Sequence, residues 1–178
     1  RAAVAGLRRG GVDRILMLTG DNQCAADDIA GRLEIDGHFA DLLPADKLSV
    51  LEQVLAENAN GGKVAFVGDG INDAPVIARA DVGVAMGALG SDAAIETADV
   101  VLAGDAPSKM ADALHIGRQT RVIVWQNIFI ALFIKGVFIV LGVAGLATMW
   151  AAVFADVGTA LIAVVNSTRA LGKRITTA

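Results

Sequence analysis

The sequence predicts an α/β domain built on a parallel sheet, followed by a two-helix transmembrane hairpin. Three observations carry this. Short apolar runs alternate with helically spaced stretches over residues 1–106. Most charged residues lie before about position 121. Beyond it come two apolar stretches long enough to cross a bilayer core of about 30 Å.

Residues 2–10 carry a short Ala/Leu helix pattern that ends at Gly10-Gly11. The continuous apolar run Ile15-Leu16-Met17-Leu18, typical of a buried parallel strand, stops at Thr19-Gly20-Asp21-Asn22. Ala25, Ala26, Ile29, Ala30 and Leu33 then recur at helical spacing. Phe39 falls in another short strand, and Leu42-Leu43-Pro44 leads into a helix from Ala45 to about Asn58. Asn60-Gly61-Gly62 forms a turn. Val64 to Val67 make the next strand, which breaks at Gly68 and Gly70 before a helix from about Asn72. A strand over Val82–Met86, a helix around Ser91–Thr97 and a strand over Val100–Leu102 complete the alternation. Such order implies right-handed βαβ units and a parallel sheet.

From Pro107 a helix runs through His115 and Arg121. Residues 122–144 contain one charge, Lys135, and residues 150–168 one ionisable group, Asp156, with Gly145 to Met149 as the break. Arg118 and Arg121 precede the first span, Arg169, Lys173 and Arg174 follow the second, and the connecting loop is uncharged. The positive-inside rule then places both ends in the cytoplasm, with Trp125 and Trp150 near opposite membrane faces. The expected domains are 1–106, a connecting helix 107–121, spans at 122–144 and 149–170, and a tail at 171–178.

Composition agrees with two parts joined. Hydrophobic residues make up 54% of 178 residues and mean hydropathy is +0.57, too apolar for one soluble domain. A net charge of −4 gives no support for nucleic-acid binding. The single cysteine, Cys24, excludes an internal disulfide and suits a reducing compartment. With Arg1 in mid-pattern and no initiator Met, the chain reads as a fragment.

The string Gly68-Asp69-Gly70-Ile71-Asn72-Asp73-Ala74-Pro75 holds the densest chemistry. It lies at the C-terminal edge of the sheet, where open α/β proteins bind ligands. Asp69 leaves the strand tip and Asp73 stands near the helix start, so both can face one point. Two hard oxygen ligands there suit Mg²⁺, which takes one or two carboxylates and keeps waters or phosphate oxygens. Thr19 adds a hydroxyl at a strand end and Lys47 a positive charge near a helix start. Taken singly, Thr19 is equally an N-cap neighbour and Lys47 a solvated helix residue.

In the hairpin, Lys135 and Asp156 both fall near mid-membrane in antiparallel spans and can meet. A charge there costs roughly 2.5–3.5 kcal/mol on insertion scales. The pair reads either as a structural ion pair or as a cation site, with Asp156 the hard ligand and Lys135 compensating charge. Gly136, Gly142 and Gly158 allow close helix approach. Cys24 reads as a small core residue, His38 and His115 as surface or capping groups, and Glu34 and Asp36 as solvated acids.

The string Gly68 to Pro75 resembles the hinge motif of P-type ATPases, cation pumps whose phosphorylation domain has the haloacid-dehalogenase-like fold. With Thr19-Gly20-Asp21 and Lys47 in this order, the resemblance covers three successive motifs of that fold and, with the hairpin, the whole chain. It implies that Thr19 and Lys47 hold a phosphoryl group, with Gly20 and Asp21 in the same motif and Asp21 toward the nucleotide. It implies Asp69 as a Mg²⁺ ligand, with Asn72 and Asp73 completing the metal and phosphate surroundings. The family's Asp-Lys-Thr-Gly-Thr segment, which carries the phosphorylated aspartate, does not occur in these 178 residues. The chain alone is therefore expected not to turn over ATP.

Gln126-Asn127-Ile128, Lys135-Gly136 and Asp156-Val157-Gly158 resemble the last two spans of the zinc/cadmium/lead-exporting branch. They match neither the Tyr-Asn pattern of the copper branch nor the His-Glu-Gly string of the cobalt-type branch. The resemblance implies an exporter of Zn²⁺, Cd²⁺ or Pb²⁺ in a bacterial plasma membrane, using ATP, Mg²⁺, membrane lipid and the rest of the same polypeptide. The rivals are a potassium- or copper-type pump, a membrane-tethered phosphatase of the same fold, and a non-catalytic remnant.

Overall fold

A computed structural model describes residues 1–178 except 59–60, 69–70, 88–91, 105 and 171–178. Contacts divide it into two units, Arg1–Ala111 and Asp112–Ala178.

The first unit alternates helix and strand throughout: α1 (Ala2–Arg9), β1 (Leu16–Leu18), α2 (Gln23–Leu33), β2 (Gly37–Phe39), α3 (Pro44–Glu57), β3 (Ala65–Gly68), α4 (Ala74–Arg79), β4 (Val82–Met86), α5 (Asp92–Thr97) and β5 (Val100–Leu102). A single 3₁₀ turn, Ile71–Asp73, opens α4, so the helix expected from Asn72 begins two residues later. All strand pairs are parallel, but they form two sheets, β1–β2 and β3–β4–β5. Among the described residues β1 and β3 pair on one side only, each leaving a parallel edge open.

The core is small. Val76 and Ile77 of α4 and Val84 and Ala85 of β4 are almost fully buried, with Phe66 and Ala98 packed against Ile77 and Ala85. Ala26 and Ala30 form the buried face of α2. Cys24 lies two residues, or about 200°, from Ala26 and is exposed, so it is not the core residue expected.

Gly83 shows how tightly β4 meets α4. An added Cβ would strike the backbone O of Ile77 and sit 2.7 Å from its Cγ2. Backbone cannot rotate away as a side chain can. Gly83→Ala is expected to destabilise the fold by about 1–3 kcal/mol, read as a lower thermal midpoint of the detergent-solubilised protein.

A repeated carboxylate staple ties the N-terminal edges of the strands. Asp36 accepts from Ile15 N–H at 2.7 Å, Asp81 from Val64 N–H at 3.0 Å and Asp99 from Gly83 N–H at 2.8 Å. Each aspartate stands just before one strand and receives the N–H of its neighbour. Asp36 also takes Arg8 at 2.9 Å and Asp81 takes Lys63 at 2.9 Å. Asp36 is therefore not the solvated acid expected. Arg8, then the Ile15 N–H, holds the Asp36 carboxyl below its ordinary value; for Asp81 the Val64 N–H leads, then Lys63.

A carboxyl depressed in the folded state stabilises fully above its unfolded pKa of about 3.9, and that contribution is lost as pH falls through the folded value. Replacing both Asp36 and Asp81 by asparagine is expected to lower stability most above about pH 4 and to flatten the acid limb, so that variant and wild type converge as pH falls. Denaturant titrations across that range check it.

The second unit is a helical hairpin of α6 (Ser108–Val143) and α7 (Met149–Ser167). The expected boundary near residue 121 carries no break, because α6 is one 36-residue helix. At 1.5 Å per residue it extends about 54 Å, well beyond a bilayer core. Both helices are long and apolar enough to cross a membrane. The turn between them is specified locally. Gly145, at φ +69°, ends α6 with Gly145 N–H on Gly142 O and Leu146 N–H on Leu141 O, a Schellman arrangement. Thr148 Oγ1 then accepts from Ala151 N–H and caps α7.

Candidate functional site

Two clusters of the first unit lie at strand ends. After β1, the Thr19 hydroxyl donates to Asp21 Oδ2 at 3.0 Å and accepts from the Asp21 N–H at 3.1 Å. The loop after β2 is laced to this turn by backbone bonds: Thr19 N–H to Phe39 O, Leu42 N–H to Thr19 O and Asp41 N–H to Asp21 O. Gly20 fits closely there, since a Cβ would fall 3.2 Å from Leu42 O. Asp41 takes a left-handed φ of +52°, a conformation that Asp tolerates better than most residues. The same loop sets α3. Asp46 Oδ2 accepts from Leu43 N–H at 2.9 Å, Pro44 occupies the first turn, and Lys47 follows.

The second cluster joins α3 to the turn after β3. Lys47 Nζ lies 2.8 Å from Asp73 Oδ1, with the side chains 20% and 12% exposed. Asp73 rests over Gly68: an added Cβ would be 2.9 Å from Asp73 Cβ and 3.1 Å from Oδ2. Glycine at the strand end is thus what lets this carboxylate settle against the backbone. The sequence reading set Lys47 on phosphate and Asp73 on metal as separate groups, whereas the structure makes them direct partners. Asn72 is exposed in the 3₁₀ turn. Asp69, the expected first metal ligand, lies outside the described residues.

A Mg²⁺ ion fits what remains. Among the described residues no group of three or more His, Cys, Asp or Glu side chains converges, so these residues build no all-protein cage. Asp73 has one oxygen on Lys47 and the other beside Gly68. That is a donor set for an ion that keeps waters and phosphate oxygens.

In the hairpin, Lys135 Nζ stands 3.1 Å from Asp156 Oδ1. The pair meets as expected, and both side chains stay more than half exposed. Gly136, Gly142 and Gly158 differ from expectation: a Cβ on any of them would have nothing within 4 Å. They open outward and make no close helix seam.

Sequence reasoning passed over Asp46 and Asp41, which shape the loop that carries Lys47. Asp46 was legible as an acid three residues after a helix cap position beside Pro44. His38 is also better engaged than expected, with Nε2 2.9 Å from both Asp27 Oδ1 and Gln23 Nε2. His115 is exposed.

Comparison with known proteins adds independent findings. Residues 1–81 match the family model of haloacid dehalogenase-like hydrolases. A zinc-transporting ATPase of Synechocystis is 60% identical over 94% of this chain and 23% of its own length. A cadmium, zinc and cobalt-transporting ATPase of Bacillus subtilis is 52% identical over 95% of this chain and 24% of its own. A crystal structure of a zinc-transporting PIB-type ATPase in the E2.Pi state superposes with a TM-score of 0.85 at 38% identity, covering 95% of this chain and 27% of that one. The chain spans about a quarter of the length of these relatives.

Proposed function

Because this chain belongs to the heavy-metal P-type ATPase family, with a haloacid-dehalogenase-like first unit, we propose that it works as part of a larger ATP-driven exporter of divalent heavy-metal cations. The observation that carries this reading is a phosphate-type site at strand tips on the same chain as a Lys–Asp pair in an apolar hairpin.

In the intact pump, an aspartate outside these residues attacks the γ-phosphorus of ATP, ADP leaves with the β–γ bridging oxygen, and water later cleaves the acyl phosphate. Such transfer asks of the protein mainly positioning and charge neutralisation. The Thr19 hydroxyl and the Lys47 ammonium hold the phosphoryl oxygens. Asp73 fixes Lys47 by their 2.8 Å contact, so the cation is aimed before substrate arrives. Asp69, Asn72 and Asp73 would hold Mg²⁺, which would supply charge neutralisation to the phosphate oxygens. The open edges of β1 and β3 suit one further parallel strand, and a strand there would bring its C-terminal tip to both clusters.

The cation passes the hairpin beside Asp156, with Lys135 balancing charge when the site is empty. Their exposure within the hairpin leaves room for ligands from other spans of the pump. One carboxylate does not define a coordination sphere, so the preference among Zn²⁺, Cd²⁺ and Pb²⁺ is set by those other ligands. By the positive-inside pattern the first unit and the C-terminus are cytoplasmic.

The test is ATP hydrolysis by the full-length protein in lipid, with Zn²⁺, Cd²⁺, Pb²⁺, Cu⁺, Co²⁺ and K⁺ in parallel. Stimulation by the first three is expected. Stimulation by Cu⁺ or K⁺ alone would overturn the assignment of the hairpin. Phosphatase activity without metal-dependent turnover would overturn the pump itself.

A further inference from the structure

α6 and α7 meet through a second polar cluster, well separated from the Lys135–Asp156 pair. Asn127 Nδ2 donates to Ser167 Oγ at 3.0 Å and to Ala163 O at 3.3 Å. Asn166 Nδ2 donates to Asn127 Oδ1 at 2.8 Å and to Gln126 Oε1 at 3.4 Å. Ser167 Oγ donates to Ala163 O at 2.8 Å, and Arg169 Nη1 donates to Asn166 Oδ1 at 3.0 Å. The Asn127 and Asn166 amide nitrogens each use both hydrogens, and the amide oxygens of Gln126, Asn127 and Asn166 all accept. The bonds therefore run in one consistent direction, and no group in the cluster can be exchanged for an apolar one without leaving a partner unsatisfied.

Apart from the short turn at Gly145–Thr148, little else specifies how the two helices are aligned. Between the polar levels the residues withdrawn from the surface are Ile130, Ala131 and Ile134 on α6 and Gly158 and Thr159 on α7, and Thr159 spends its hydroxyl on Ala155 O in its own helix. The three glycines that could have locked a close seam face open space. In lipid an apolar seam gains little from one register over the next, because lipid tails are as apolar as the side chains. Slipping one helix by a residue would still turn its polar groups by about 100°. A buried amide that fixes register where apolar packing does not is a well-attested use of such groups.

The two polar levels agree in register. From Asn127 to Lys135 is about 12 Å along α6, and from Asp156 to Asn166 about 15 Å along α7, so engaging the amides brings the charges opposite one another. We propose that Gln126, Asn127, Asn166 and Ser167 form a register clasp that positions Lys135 against Asp156. These are positioning residues that touch no transported ion. The proposal rests on the export reading, since it assigns the clasp a role in tuning that cation site.

The test uses the full-length pump in lipid and three readouts: the Zn²⁺ concentration for half-maximal ATP hydrolysis, the KM for ATP, and hydrolysis of a small aryl phosphate as a measure of the phosphoryl site alone. Asn127→Leu is nearly isosteric and removes every bond of that side chain. It is expected to raise the half-maximal Zn²⁺ concentration about tenfold, or about 1.4 kcal/mol, with the other two readouts within about twofold of wild type. Asn166→Leu is expected to do the same, and the double variant to be little worse than either single one, because they share one bond. Where Asn127→Leu does not reach the membrane, Asn127→Ser keeps a polar group and serves in its place. An unchanged Zn²⁺ requirement in a pump that still responds to Zn²⁺ and loses the response in Asp156→Ala would overturn the clasp alone. A parallel fall in all three readouts would overturn it in favour of a merely structural contact. A wild-type pump with no metal response would overturn the export reading and the clasp with it.

Discussion

Lys47→Ala in the full-length pump is expected to cut ATP turnover by about 100- to 1,000-fold, the range seen when a preorganised charge-stabilising donor is removed. Two effects add. The phosphoryl oxygens lose a cation, and Asp73 loses the partner 2.8 Å away that neutralises it in a setting only 12% exposed. An unpaired carboxylate so placed would repel an incoming phosphate as well as fail to attract it. The variants separate the two. Asp73→Asn removes the charge but keeps an acceptor for Lys47, so the ammonium remains aimed and the loss is smaller in phosphate binding than in metal dependence. Lys47→Arg keeps charge but presents a planar fork in place of a compact ammonium, and rescues only in part. The double variant Lys47→Ala/Asp73→Asn should be less impaired than the sum of the single variants in free energy, because the pair couples directly. Strict additivity would show that the contact does not bear on catalysis. Circular dichroism and a thermal melt of each variant separate loss of fold from loss of chemistry.

How far the sequence carried the fold depended on range. Val82–Met86 and Val100–Leu102 stand where their apolar runs place them, since a short run of β-branched residues needs only local composition to be seen. The hairpin was legible for the same reason, and counting residues along two antiparallel spans brought Lys135 to Asp156 before any coordinates. What depended on contacts between distant segments was hidden. The Lys47–Asp73 contact joins residues 26 apart in sequence, and no spacing rule reports it. The aspartates before β2, β4 and β5 read as scattered acids because their partners are N–H groups 16 to 21 residues away. Cys24 was misjudged because composition says that a helix is Ala-rich without saying which face packs; Ala26 and Ala30 settle that, and Cys24 is on the other side. Glycine in a span permits close approach but does not require it, and here the three faces are open.

The divided sheet has the same origin. Alternating strands and helices announce parallel pairing, yet sequence order alone leaves open which edges meet. β1 and β3 do not pair with each other; each has its partner on one side, and no described strand occupies the other. An exposed parallel edge is a template for another strand, which proteins ordinarily cover. In the proposed pump, covering it and delivering the nucleophile are one event.

Asp156→Ala should abolish metal-stimulated turnover while sparing hydrolysis of a small aryl phosphate, because the two units contribute different chemistry. The magnitude follows from the role proposed for the carboxylate, a hard anionic ligand in apolar surroundings. A loss of at least about 100-fold in apparent metal affinity corresponds to about 2.7 kcal/mol, comparable with the roughly 2.5–3.5 kcal/mol that holding such a charge at mid-membrane costs. The substitution also leaves Lys135 without its partner 3.1 Å away, so some of the effect would reflect a stranded ammonium. Lys135→Ala decides how much. If Lys135 serves to balance Asp156 when no ion is bound, its removal leaves a carboxylate that holds the ion more tightly, lowering the half-maximal metal concentration and the maximal rate together. If instead the pair is a structural tie, Lys135→Ala and Asp156→Ala would lower expression and thermal midpoint alike, and the double variant would recover both. Recovery of the fold without recovery of metal response is the expected result, since a neutral pair satisfies the bilayer but leaves the cation no ligand.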